Sequence, residues 1–264
     1  MRSRARLLRA SLLVAVIRGL TAGGAMAQGA IPETPQELAA VPLVAATRGV
    51  LPRRADLSAL LPMPRSQAWT STCVSWAATY AAASSWLRNE KQQADITLSP
   101  SFTYPLVGGT ANCQGGTKIS ATLNVLRDVG ALPIRDFVFD GGWCGRKPTP
   151  AELEQAAKYR IRSWGRVDAT DVGAVASQIA RGRVVIFTMP IGPAFLGFTG
   201  PDIFRQIEKE PGSAEHAMVA IGYDQDRQAF RVMNSMGRRW GDDGYAWISY
   251  EVWMRQVKIG FVIE

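Results

Sequence analysis

Apolar residues change texture along this chain. From Cys73 to Arg88 they are small and lie on nearly every face. Val74, Trp76, Ala77, Ala78, Tyr80, Ala81, Ala82, Ala83, Trp86 and Leu87 leave no polar stripe, the pattern of a buried helix. Thr70, Ser71 and Thr72 stand where an N-cap is wanted, so Cys73 is expected at the helix N-terminus. Ile119, Leu123 and Leu126 then follow helical spacing over 117–129, and Gly130 stops the run. Thr149-Pro150 opens a helix over 151–159. Val172, Val175 and Ile179 share one face of another over 171–181, with Gly182 beyond it. After that the pattern shortens. Segments 184–189, 217–223, 229–233, 245–250 and 259–263 are rich in Val, Ile, Tyr and Phe and read as strands. Helices early and strands late predict an α+β fold in two subdomains, 55–165 and 166–264. Segment 192–215 reads as a long loop. Residues 28–54 carry four prolines and little periodicity, as an extended leader or linker does.

Segment 1–27 stands apart. Arg2, Arg4, Arg6 and Arg9 precede the apolar run 11–17, and Ala25-Met26-Ala27 ends the segment in a cleavage-site pattern. That is a signal peptide, which predicts a secreted or periplasmic protein of a bacterial cell. The run is too short to span a bilayer, so no stable membrane insertion is expected once it is removed. The formal charge of +8 includes five arginines of this acid-free segment. Of 30 basic residues 25 remain against 22 acidic ones, about +3. That excess gives no reason to expect nucleic acid as a partner. The chain reads as a monomer, and no cofactor or metal is expected: a single histidine, His216, excludes a multi-histidine zinc site. Three cysteines, Cys73, Cys113 and Cys144, leave one thiol over after any pairing.

Two juxtapositions suggest chemistry. Strands 217–223 and 229–233 are joined by the polar turn 224–228, so the start of the first faces the end of the second. His216 opens the hairpin and Asn234 closes it, within about two positions of register. An asparagine there can accept the imidazole N–H and fix its tautomer. Cys73, at a helix N-terminus, sits where the helix dipole favours a thiolate. Gln67 lies six residues earlier. Its side-chain N–H and the Cys73 backbone N–H form a candidate oxyanion hole.

The segment from Gln67 to Ala77 (Gln67-Ala68-Trp69-Thr70-Ser71-Thr72-Cys73-Val74-Ser75-Trp76-Ala77) resembles the nucleophile motif of papain-family (C1) cysteine peptidases. Ser99-Pro100-Ser101-Phe102, Cys113-Gln114-Gly115-Gly116, the histidine strand 216–223 and the asparagine motif 234–245 are similar to the family's later motifs, in order over 55–264. The resemblance implies a helical domain and an antiparallel β-barrel-like domain with the active-site cleft between them. It implies a secreted peptidase working through a thioester acyl-enzyme on a peptide or protein substrate. Cys73 would be nucleophile, His216 base and acid, Asn234 its orienter and Gln67 an oxyanion donor; the backbone of Gly115 and Gly116 would hold extended substrate. The sequence departs from the family pattern in four places. Thr70 stands where the family often has a cysteine, so that cysteine's disulfide is absent, Cys113 and Cys144 are left to pair, and Cys73 stays free. Val74 replaces an aromatic residue after the nucleophile. Met236 replaces the tryptophan that shields the Asn–His bond. The leader is shorter than the family's helical inhibitory propeptide. A peptide-binding module on the same fold, and a Cys–His amidase or acyl transferase, are the alternative readings.

Overall fold

The computed structural model describes residues 29–46, 49–139, 144, 146–208 and 215–264; the expected signal segment 1–27 lies outside them. The buried helix forms as its composition dictates. It begins with a short α-helical stretch at Cys73–Ser75, widens to π-helical turns over Trp76–Ala83 and returns to α-helix over Ser84–Glu90. Every residue from Cys73 to Leu87 is buried. The alanines at 77, 78 and 81–83 let the wide turns pack closely on the sheet, and such π segments often mark functional sites. The expected hydroxyl cap is absent: Thr72 makes no side-chain cap bond, and its hydroxyl pairs with that of Thr70 at 2.6 Å.

The sheet has eight strands: β1 (Arg54–Asp56), β2 (Trp164–Val167), β3 (Val185–Pro190), β4 (Ile203–Phe204), β5 (Glu215–Asp224), β6 (Ala229–Met233), β7 (Tyr245–Ser249) and β8 (Gly260–Ile263). Their order is β2-β8-β3-β5-β6-β7-β4, with β1 continuing the β3 side of β5. All pairings are antiparallel except β4 with β7. The sheet is open, so the barrel-like expectation is corrected while the α+β class holds. One reason is visible at its ends: β2 and β4 are short, and no ladder joins them among the described residues.

Side chains alternate across the sheet as the strand period requires. Along β5, Ala217, Val219 and Ile221 join the core under the buried helix, while Met218, Ala220 and Tyr223 join a second core on the other face. Helices Val172–Ala180 and Tyr250–Gln256 cover that second face; Trp253 is fully buried there and donates from its indole to Ala169 O at 2.8 Å. The expected long loop at 192–215 contains the short helix Pro193–Leu196 and β4. Glu208 pins it, accepting from the N–H groups of Gly192, Ala194 and Phe195. The leader is not wholly extended either. Thr34 and Glu37 form a capping box on the helix Pro35–Ala39. No helix among the described residues is long and apolar enough to cross a membrane.

Candidate active site

The histidine side of the candidate site is built by one hairpin. β5 pairs with β6 at Val219 and Met233, which sets Asn234 just past the ladder and opposite the start of β5. There His216 Nε2 lies 2.7 Å from Asn234 Oδ1. The backbone N–H of Ser235 also donates to that atom, at 2.7 Å, so it must be the amide oxygen. Nε2 therefore carries the imidazole proton, and in the neutral ring Nδ1 is the basic nitrogen. His216 and Asn234 are buried, and neither His216 Nδ1 nor Asn234 Nδ2 has a hydrogen-bond partner among the described residues. Burial pushes the His216 pKa down to about 4, against the opposing pull of its bond to Asn234.

The cysteine side is assembled from distant stretches. Cys73 is the free cysteine, fully buried, and Cys113 is joined to Cys144 in a disulfide. Burial pushes the Cys73 thiol up, against the N–H groups of Ala217, Gly29, Val74 and Cys73 itself that point at the sulfur. Burial thus opposes the thiolate that a helix N-terminus favours. The Ala217 N–H at the sulfur nevertheless brings the chain next to His216 within reach of Cys73.

Gln67 sits on a tight turn in which Ala68 adopts a positive φ of 55°. Its Nε2 donates to Thr70 O at 2.5 Å, its Oε1 accepts from Ser235 Oγ at 2.5 Å, and its backbone N–H donates to Ser235 O at 2.8 Å. One amide hydrogen is thus directed to the loop that leads into Cys73. Of the two glycines, Gly115 uses its backbone internally, donating to Thr110 Oγ1 at 2.8 Å and accepting from Tyr104 Oη at 2.6 Å. Gly116 lies against the leader: a Cβ there would stand 2.9 Å from Ile31.

The leader itself fills the space between the two sides. Thr117 N–H donates to Gly29 O at 2.8 Å and Ile31 N–H to Thr117 O at 2.9 Å, while Ala30 N–H donates to Glu215 O at 3.2 Å. Residues 29–31 therefore bridge the strip next to Gly116 and the residue next to His216. A Cβ at Gly29 would run into the carbonyl oxygen of Ser71, so only glycine fits. Further along, Glu37 bonds to Lys118, which lowers its carboxyl to about 2, and Leu43 and Val44 follow the edge of β2.

Of the residues the sequence singles out, Cys73, His216, Asn234, Gln67 and Gly116 line this one region, while Gly115 turns its backbone to Thr110 and Tyr104. Ser235, Thr117 and Gly29 are not among those residues. Ser235 follows Asn234 directly, and its hydroxyl is the available signal. Nothing in the pattern of 28–31 signals a partner. The described residues contain no cluster of His, Cys, Asp and Glu able to hold a metal ion.

Residues 52–260 match the papain family of cysteine proteases. The chain is 24% identical over 216 residues to an uncharacterised peptidase C1-like protein of Acanthamoeba polyphaga mimivirus, covering 74% of this chain and 68% of that one. It is 24% identical over 136 residues to mouse pro-cathepsin H, half of this chain but 40% of the cathepsin. Among solved structures, xylellain, a cysteine protease of Xylella fastidiosa, superposes with a TM-score of 0.80 at 22% identity, covering 90% of this chain and 96% of that one. Digestive procathepsin L 3 of Tenebrio molitor superposes at 0.69 with 14% identity, over 91% and 76% of the two chains. With most of its length inside the family match and its fold shared with these enzymes, the chain belongs to the papain family of cysteine proteases.

Proposed function

We propose that this chain hydrolyses peptide bonds with Cys73 as nucleophile, His216 as base and acid, Asn234 as its orienter, and Gln67 with the Cys73 N–H as oxyanion donors. The observation that carries the reading is the His216 Nε2 to Asn234 Oδ1 bond of 2.7 Å, which leaves Nδ1 as the basic nitrogen in the region that holds Cys73. The leader at 29–31 is the first thing to move. With it gone water re-enters, the desolvation of both groups falls, and the thiol proton transfers to Nδ1. The thiolate then bonds to the substrate carbonyl carbon, and the C–O π pair moves to oxygen, where the two N–H groups hold it. The oxyanion collapses, the C–N bond breaks, and His216 gives its proton to the leaving amine. Neutral His216 next takes a proton from water. The hydroxide attacks the thioester, the C–S bond breaks, and the acid and the thiolate are released.

In this reading 55–165 carries the nucleophile and 166–264 the base, with the cleft between them. Residues 1–27 direct export to the periplasm or the medium, where the Cys113–Cys144 disulfide persists. The test is proteolysis of a protein substrate under mild reduction. Wild type cleaves and Cys73→Ala does not; cleavage by Cys73→Ala at the wild-type rate removes the reading. An added amine nucleophile separates hydrolysis from transfer, since a transferase gives amide product in place of acid.

A further inference from the structure

Two buried donors beside the hairpin have no partner. Asn234 commits its Oδ1 to His216 Nε2 and to the Ser235 N–H, both at 2.7 Å, while its Nδ2 has no hydrogen-bond partner among the described residues. The same holds for the indole nitrogen of Trp76. Asn234 is 2% exposed and Trp76 3%, so bulk solvent does not serve either donor. Both residues line one cavity of about 10 Å³. It lies between the π-helical turns and the place where β5 and β6 part beyond the Val219–Met233 pair. Ala77 and Ala81 form part of its helical wall, and their small side chains leave room that larger ones would take.

The chemistry of the wall selects the occupant. An indole N–H and an amide nitrogen only donate, so the occupant must accept two hydrogen bonds. A cavity of this size has room for one water molecule. An anion would lose its hydration in a wall that holds no cationic side chain. We infer that this cavity is a binding site for a single structural water, which accepts from Trp76 Nε1 and Asn234 Nδ2 and makes Trp76 a positioning residue for the reaction. The inference rests on the orienting role proposed for Asn234. The bond to Nδ2 fixes the amide at its second end and polarises it, so that Oδ1 accepts more strongly from His216 Nε2. The rings of Tyr80 and Phe139, at 4.7 and 5.1 Å between centroids, hold the indole of Trp76 in place. His216 does not line the cavity, so this water is distinct from the one that resolves the thioester.

The experiment has a structural arm and a kinetic arm, both on the full chain. A high-resolution crystal structure is expected to show one ordered water within hydrogen-bond distance of both Trp76 Nε1 and Asn234 Nδ2. Trp76→Phe removes the N–H and keeps a ring against Tyr80 and Phe139. It is expected to lower kcat about fivefold with KM unchanged, as loss of one buried hydrogen bond does. Ala81→Val, which fills the cavity and leaves Trp76 intact, is expected to lower kcat in the same way. In an Asn234→Ala background either change is expected to alter kcat less than twofold, whereas a loss of packing alone would persist there. A cavity without ordered water, or a water bonded to only one of the two donors, overturns the site. Wild-type kcat in Trp76→Phe, or its full fivefold loss in the Asn234→Ala background, overturns the positioning role. An Asn234→Ala enzyme with wild-type kcat overturns instead the orienting role on which the inference rests, and does so without touching the water in the wild-type crystal.

Discussion

The side of the site proposed to supply the base and the side proposed to supply the nucleophile are held in different ways. On the base side, His216, Asn234 and Ser235 belong to one β5–β6 hairpin and its exit, and each is fixed by a bond of 2.7 Å. On the nucleophile side three stretches must meet. The turn at 67–72 is tied by Ser71 N–H to Cys113 O at 2.6 Å and by Gln114 Nε2 to Trp69 O at 2.8 Å. The strip at 113–117 is anchored by the disulfide to Cys144, and the leader at 29–31 lies across both. The base side is preorganised by local chain geometry. The nucleophile side depends on long-range ties, and its thiol is fully buried.

The largest effect is expected on the preorganised side. His216→Ala should lower kcat/KM by about 10³-fold, within the range for loss of a general acid–base. Asn234→Ala should lower it by about 10- to 100-fold, as loss of an orienting partner does. Equal losses in steady-state assays would mean that Asn234 does more than orient the ring. Next comes the nucleophile side's long-range tie. Cys113→Ser with Cys144→Ser opens a loop with a sequence separation of 31 residues and should reduce unfolding free energy by roughly 3 kcal/mol in urea titrations. If it leaves stability unchanged, the strip at 113–117 is held by something else.

Gly29→Val tests the occupant. Its Cβ would run into the backbone of Ser71. At about 1–3 kcal/mol for forced overpacking, the closed state should lose roughly 5- to 150-fold in population, read as faster alkylation of Cys73. A smaller effect is expected from pH. The folded His216 value of about 4 lies below the ordinary 6.5, so between those values the unfolded chain holds a proton the folded chain lacks. Stability should fall as pH drops from 6.5 to 4. Glu37, bonded to Lys118, adds an acid-sensitive tie on the leader: its contribution is complete above about 4.5 and is lost as pH falls through 2. Urea unfolding at pH 7, 5.5 and 4.5 checks the sign. Gly29→Val should be less sensitive between 6.5 and 4, because its His216 is hydrated.

What is legible in the sequence follows the same division. The hairpin can be counted off the chain, because strand register is arithmetic once the turn is located. The buried helix at Cys73 can be read because small apolar residues on every face allow little else. Pairings between remote segments carry no local signal: Gly29 with Ser71, Ala30 with Glu215 and β2 with β8 have none. Tyr250 reads as the end of a strand but opens the helix Tyr250–Gln256, since β7 runs directly into that helix through the Ser249 cap. The complete burial of Cys73 is unreadable for a related reason: a helix N-terminus can be inferred from position, whereas contacts from remote segments of the chain cannot.

The most direct test of the account is labelling of Cys73 by an irreversible thiol-directed epoxide, mapped by mass spectrometry, in wild type, Gly29→Val and Gly29→Val with His216→Ala. The account predicts slow stoichiometric labelling of Cys73 in wild type, faster labelling when Gly29 is replaced, and loss of that gain when His216 is also removed. A Cys73 that stays inert in all three folded chains, or that reacts equally without His216, would contradict it.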